Sequence, residues 1–108
     1  MKKIDSIIIH CSATRAEQDI KAKDIDRMHR ARGFSQIGYN YVIDLDGTIE
    51  AGRPLTIAGA HCIGYNDHSV GICYIGGLDT SGKPADTRTP VQKTAMDDLI
   101  NKLTREYE

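Results

Sequence analysis

The 108-residue chain reads as an α/β protein, a central mixed β-sheet flanked by helices. Three observations predict this. Short β-branched runs at 6–9 and 69–75 have the length and composition of strands. Two segments, 24–33 and 90–107, carry apolar residues at helical spacing. Between them, Asp46-Gly47 joins two alternating runs as a hairpin turn does. The resulting order is strand, helix, hairpin, strand, helix. No repeat or linker interrupts it, which gives a single domain over 1–108.

The first strand is Ser6-Ile7-Ile8-Ile9, ended by His10. Three consecutive β-branched residues describe a buried central strand that carries a polar side chain to the rim of the sheet. Residues 13–23 form a polar connection. In the helix at 24–33, Ile25, Met28, His29 and Arg32 share one stripe. Acidic residues open it, arginines close it, and Gly33 follows as a C′ residue. Phe34, the only phenylalanine, is expected to plug this helix onto the sheet. In the hairpin at 38–50, strand alternation puts Tyr39, Tyr41 and Ile43 on one face.

Residues 51–67 make a long Gly/Ala-rich connection, and loops of this length in compact domains are commonly functional. The run 69–77 is an interior strand whose glycines leave room for a close backbone or ligand. After a polar loop at 78–88, Thr89-Pro90-Val91-Gln92 opens the last helix by three rules: Thr at the N-cap, Pro at N1 and Gln at N3. Val91, Ala95, Leu99 and Leu103 recur every four residues, with Met96, Ile100 and Tyr107 widening the stripe.

Bulk composition excludes several classes. Lys+Arg 14 against Asp+Glu 15, with no like-charge block, gives no electrostatic footprint for nucleic acid. No apolar run approaches the ~20 residues of a membrane span. Met1-Lys2-Lys3 and the short apolar run after Asp5 fall short of a secretory segment, so synthesis in the cytoplasm is expected. Cys11, Cys62 and Cys73, an odd count with no C-x-x-C pair, read as reduced thiols.

Among residues able to carry chemistry, His10 has two readings: a cleft residue at the carboxyl end of a strand, where α/β sheets bind ligands, or a satisfied strand-end histidine. Cys11 points to the opposite face and reads as a small core residue. His61 sits among glycine and alanine, which favours a cleft role over plain exposure. His29 reads as core or helix-capping, and His68 as exposed. Tyr39 and Tyr41 read as core aromatics whose hydroxyls need partners. No spacing in the chain amounts to a metal motif, since catalytic zinc takes three protein ligands and an open position.

Taken together, His10-Cys11-Ser12-Ala13-Thr14, His29 with Gly33-Phe34, Ile37-Gly38-Tyr39-Asn40-Tyr41, Asp46-Gly47-Thr48-Ile49-Glu50-Ala51-Gly52-Arg53, Gly59-Ala60-His61 with Gly64-Tyr65-Asn66, and Ser69-Val70-Gly71-Ile72 with Ile75-Gly76-Gly77 resemble the zinc-dependent N-acetylmuramoyl-L-alanine amidase family of type 2. That family includes phage lysozyme-amidases and peptidoglycan recognition proteins. The resemblance implies their fold, with zinc in a surface groove, and hydrolysis of the amide joining the lactyl group of N-acetylmuramic acid to L-alanine. By the same resemblance His10 is the first zinc ligand and Tyr39 the catalytic tyrosine beside the zinc-bound water. His61 and Asn66 line the substrate groove. Zinc would lower the pKa of a bound water to about 7 and polarise the scissile carbonyl.

The family's other two zinc ligands, a His and then a Cys or Asp, follow the last helix, whereas this sequence ends at Glu108. Two readings follow: an amidase domain whose zinc site is completed by a further C-terminal segment, or a module that binds peptidoglycan without cutting it. The implied partner is a muropeptide, met at the cell wall after release from the cell, by a protein expected to be monomeric.

Overall fold

The computed structural model describes residues 4–107; Met1 to Lys3, which bear on the reading of the N-terminus, and Glu108 lie outside them. At its centre is β5 (Ser69–Tyr74), buried along almost its whole length. Its small and β-branched residues suit a strand covered on both faces. On one side β5 pairs in parallel with β1 (Ser6–Cys11), in register from Ser6 opposite Ser69 to Cys11 opposite Tyr74. On the other it pairs in parallel with β3 (Tyr41–Ile43), which pairs antiparallel with β4 (Ile49–Ala51). The order β1-β5-β3-β4 is the expected mixed sheet.

Two helices cover its faces. The helix α1 (Ala22–Ala31) packs Ile25 with Ile37, Val42, Cys73 and Ile75. On the other face α2 (Pro90–Tyr107) packs Met96, Leu99 and Leu103 with Ile43, Val70 and Ile72. Neighbouring β5 residues thus feed opposite cores, as a two-residue period demands. α1 begins at Ala22, two residues before the expected Asp24, which caps its first turn by accepting the Lys21 N–H at 2.9 Å; the start of α2 and the end of α1 follow their sequence signals. The Thr89 N–H donates to Gln92 Oε1 (2.9 Å) and the Gln92 N–H to Thr89 Oγ1 (3.2 Å), a reciprocal capping box. At the end of α1, Gly33 takes φ 97°, its N–H reaches Arg30 O, and the Phe34 N–H reaches His29 O, the Schellman arrangement.

The structure corrects the sequence reading in several places. The triple-isoleucine strand is an edge strand, not a central one: β1 pairs only with β5, and Ile9 is 41% exposed. An apolar run reports local burial and does not say on how many sides a strand is paired. Tyr39 and Tyr41 lie on opposite faces, Tyr39 with Val42 and Cys73, and Tyr41 with the α2 core. The chain bends at Gly38 and Asn40 ahead of β3, so strand alternation does not extend back to Tyr39. Phe34 leaves the sheet alone and stands edge-on to His29 (5.0 Å between ring centroids), under the Arg32 guanidinium. On α2, Val91 is exposed and its place inside is taken by Gln92, which is fully buried. The polar connection after β1 also contains β2 (Thr14–Arg15), paired in parallel with β6 (Gly77–Leu78) as a second small sheet.

Candidate active site

His10 lies near the carboxyl end of β1, opposite Cys73 of β5. Its Nε2 is 2.9 Å from Nδ1 of His61, with the two rings nearly perpendicular. The Nε2 of His61 in turn lies 3.2 Å from Ser69 Oγ, whose hydroxyl donates to Tyr65 O at 2.6 Å. The directions follow from the last link. A carbonyl only accepts, so the Ser69 proton is committed to Tyr65 and His61 Nε2 must carry the hydrogen shared with Ser69. Neutral His61 then has an unprotonated Nδ1, which accepts from His10 Nε2–H. This leaves the His10 lone pair on Nδ1. Burial lowers the His10 pKa, favouring the neutral imidazole that can act as ligand or base.

His61 owes its position to two glycines and an asparagine. A Cβ at Gly71 would fall 2.6 Å from the His61 ring, and one at Gly59 2.7 Å from it, so the imidazole lies in a slot that only glycines leave open. Asn66 Oδ1 accepts from the backbone N–H groups of both His61 and Cys62 at 2.9 Å, which ties the loop. Opposite, buried Asn40 fixes Gly71 by accepting its N–H and donating its own N–H to the Gly71 carbonyl, both at 2.9 Å.

Tyr39 faces His10 (5.2 Å between centroids), and His29 stands on its other side (5.3 Å). With Phe34 and His61, these rings form a continuous aromatic row. Burial is the main cause that pushes the Tyr39 hydroxyl up to about 12, keeping it a proton donor at neutral pH. His29 is buried and accepts the Gly38 N–H on Nδ1 at 2.8 Å; burial, then the charges of Arg32 and Arg53, lower its pKa. A groove of about 440 Å³ opens over this row, lined by Tyr39, His61, Asn66, His29 and Ile63 among others. His10 lies behind its wall, against Tyr39 and His61.

Of the four site residues read from the sequence, three line the groove and the fourth, His10, touches two of them. Asn66 contributes its carbonyl oxygen to the loop. His29, expected in the core or at a helix cap, is core in burial and groove wall in position. Ser69 is the residue that sequence reasoning misses, since no local signal marks a serine at a strand start as a histidine's partner. His68, expected to be exposed, is partnered: Nδ1 is 2.7 Å from Asp5 Oδ1, and its pKa is raised, chiefly by that hydrogen bond. Cys11 is half-buried against Gly77, and all three cysteines are free thiols.

As a metal centre the described residues are insufficient. His10 and His61 supply two imidazoles whose facing nitrogens are engaged with each other. Among the described residues no group of three His, Cys, Asp or Glu side chains converges. Catalytic zinc takes three.

Comparison with known proteins places the chain. The sequence profile described as N-acetylmuramoyl-L-alanine amidase matches residues 1–108. An endolysin of Klebsiella phage KP32 is 40% identical over 106 residues, spanning 98% of this chain and 70% of the relative. Among solved structures, the N-acetylmuramoyl-L-alanine amidase LysC from Clostridium intestinale superposes with a TM-score of 0.85 at 31% identity. That match covers 98% of this chain and 66% of LysC. Human PGRP-IBETAC, solved in complex with glycosamyl muramyl pentapeptide, gives 0.78 at 26% identity, with 99% and 66% covered. The chain therefore spans about two thirds of the length of these proteins. It belongs to the N-acetylmuramoyl-L-alanine amidase family.

Proposed function

We propose that this chain carries the substrate groove and part of the catalytic apparatus of an amidase that hydrolyses the bond between N-acetylmuramic acid and L-alanine of peptidoglycan. The observation that carries this reading is the Tyr39–His10–His61 cluster beneath a groove large enough for a short peptide. In this reading the muropeptide lies along the groove with its scissile carbonyl toward Tyr39. Protonated at neutral pH, Tyr39 donates to the oxyanion as it forms. Ser69 and His61 hold the His10 ring in one tautomer and orientation. His61 and Asn66 form the groove wall, Asn66 also keeping the loop closed.

Zinc belongs to the proposal in the same sense. His10 would be one ligand through its Nδ1 lone pair, with two more donors coming from outside residues 4–107. The roles given to Tyr39, His61, Ser69 and Asn66 rest on their own hydrogen bonds and positions. Among the described residues no helix is long and apolar enough to cross a membrane. Action on the cell wall after release from the producing cell is part of the same proposal.

Incubation with purified sacculi, reading new L-alanine amino termini and measuring bound zinc in parallel, tests the reading. The 108-residue chain alone is expected to cleave weakly or not at all, whereas a longer form that supplies two further zinc donors is expected to cleave, with turnover abolished in His10→Ala and reduced about 10²–10³-fold in Tyr39→Phe. Muropeptide binding without turnover by that longer, zinc-loaded form would replace the enzyme by a recognition module. Neither binding nor turnover would overturn both.

A further inference from the structure

We infer that His68 is a proton-operated latch on the groove wall: as an imidazolium it ties the turn at Gly64 to Asp5 at the foot of β1, and as a neutral ring it lets that turn go. The effect on substrate rests on the muropeptide reading above; the latch itself does not.

The His68 ring stands between two acceptors. Its Nδ1 is 2.7 Å from Asp5 Oδ1, and its Nε2 is 3.2 Å from the Gly64 carbonyl oxygen. A carboxylate and a carbonyl only accept, so both contacts are hydrogen bonds only when both ring nitrogens carry hydrogen, which makes the ring a cation. A neutral ring keeps one N–H. The carboxylate is the stronger acceptor and retains it at Nδ1. The bare Nε2 then faces the Gly64 oxygen, lone pair against lone pair.

The surroundings favour the cation. The charges acting on His68 are Asp5 and Asp67, the latter 3.9 Å from Nε2, and the Tyr65 ring flanks it at 5.4 Å between centroids. The Asp5 hydrogen bond, then that to Gly64, raise its pKa above that of a free histidine, which brings the change of state into the neutral range. The latch is therefore closed at low pH and lost as pH rises through that value.

Little packing holds the turn from outside. Ile63 is 97% exposed, and Gly64, at φ 89°, has nothing within 4 Å of where a Cβ would stand. At the other end the Asp5 N–H donates to the His68 carbonyl at 2.9 Å, a backbone bond that titration of the ring does not touch. Deprotonation thus frees the Gly64 end alone. The turn matters to the site through its neighbours. Cys62, Ile63 and Asn66 line the groove, and the Tyr65 carbonyl accepts from the Ser69 hydroxyl that orients His61.

NMR titration of the unaltered chain from about pH 5.5 to 8.5 follows the His68 imidazole and the backbone amides of 62–66 together, bracketing the ordinary histidine range. The amide shifts are expected to step at the His68 midpoint. Asp5→Asn removes the carboxylate and moves both midpoints down together, and His68→Gln abolishes the step. Calorimetry with MurNAc-L-Ala-γ-D-Glu-L-Lys over the same range is expected to show affinity falling roughly 2- to 5-fold as pH rises through the midpoint, the worth of one exposed charged contact, and no such fall in His68→Gln. Amides of 62–66 that ignore the His68 midpoint, or a step that survives in His68→Gln, would overturn the latch. Affinity that stays flat across the midpoint would overturn its effect on the groove. A latch that titrates as described in a chain that binds no muropeptide at any pH would overturn the muropeptide reading and leave the latch standing.

Discussion

Replacing Gly71 by alanine adds a single methyl group at the centre of the sheet, directly against the His61 imidazole. The new Cβ falls 2.6 Å from Cγ and Cδ2 of His61 and 2.8 Å from its Nδ1, whereas ordinary contact begins at 3.4 Å. The backbone of Gly71 cannot retreat, because Asn40 holds both its N–H and its carbonyl at 2.9 Å. The imidazole must therefore move by about 0.8 Å, the gap between 2.6 and 3.4 Å. The His10–His61 hydrogen bond is 2.9 Å long and loses most of its value beyond about 3.2 Å.

Overpacking of this kind costs about 1–3 kcal/mol, and each kcal/mol lowers the melting temperature of a domain this size by roughly 4–8 °C. Thermal unfolding measures that cost. Imidazole nitrogen shifts in NMR report the hydrogen bond and tautomer without recourse to activity. His61→Ala empties the slot, so Gly71→Ala is expected to cost far less in that background, a non-additivity of about 1 kcal/mol or more. Unchanged melting together with unchanged histidine shifts in Gly71→Ala would refute the slot. So would strict additivity of the two substitutions.

Two further outcomes concern the frame that holds the site. Gln92 donates to the buried carbonyls of Ile43 (3.4 Å) and Ile75 (3.0 Å) while capping α2, so Gln92→Ala is expected to cost about 2–4 kcal/mol in denaturant unfolding. Gln92→Glu does worse, since a carboxylate cannot donate to those carbonyls, and a glutamate variant as stable as the native chain would contradict the assignment. Asp44 is buried, its Oδ1 without a hydrogen-bond partner among the described residues, and burial, then Glu50, push its carboxyl up to about 7 against the pull of Lys21. A pKa raised in the folded state means that the folded chain binds the extra proton. Stability present below about pH 4 is therefore lost as pH rises through 7. Asp44→Asn is expected to flatten that decline in melting temperature between about pH 4 and 8, and an identical slope in both proteins would count against it.

Much of the frame was legible locally. The capping box at Thr89, the Gly33 terminator and the Asp46-Gly47 turn each concern residues within a few positions of one another, and the chain fulfils them by bonds it makes with itself. Motif strings singled out Tyr39 and His61, both of which line the groove, although strand alternation put Tyr39 on the wrong face. A bend at Gly38 and Asn40 is set by their bonds to Ala60, Gly71 and Gly52, which lie far along the chain. Ser69 and Gly71 carried no readable role, because what they contact is a loop residue that only folding brings near.

By itself the sequence determined the order of the main strands and helices, the span of α2, the Gly33 terminator of α1, the family and the candidate histidine at the end of β1. Those rest on short-range backbone preferences and on patterns written along the chain. Only the tertiary structure decided that the triple-isoleucine strand lies at the sheet's edge and that His29 and Phe34 wall a groove. It alone set His10 and His61 in a directed chain that runs on to Ser69. Each of these depends on which distant segment occupies the neighbouring space, and side-chain packing settles that when the chain closes on itself.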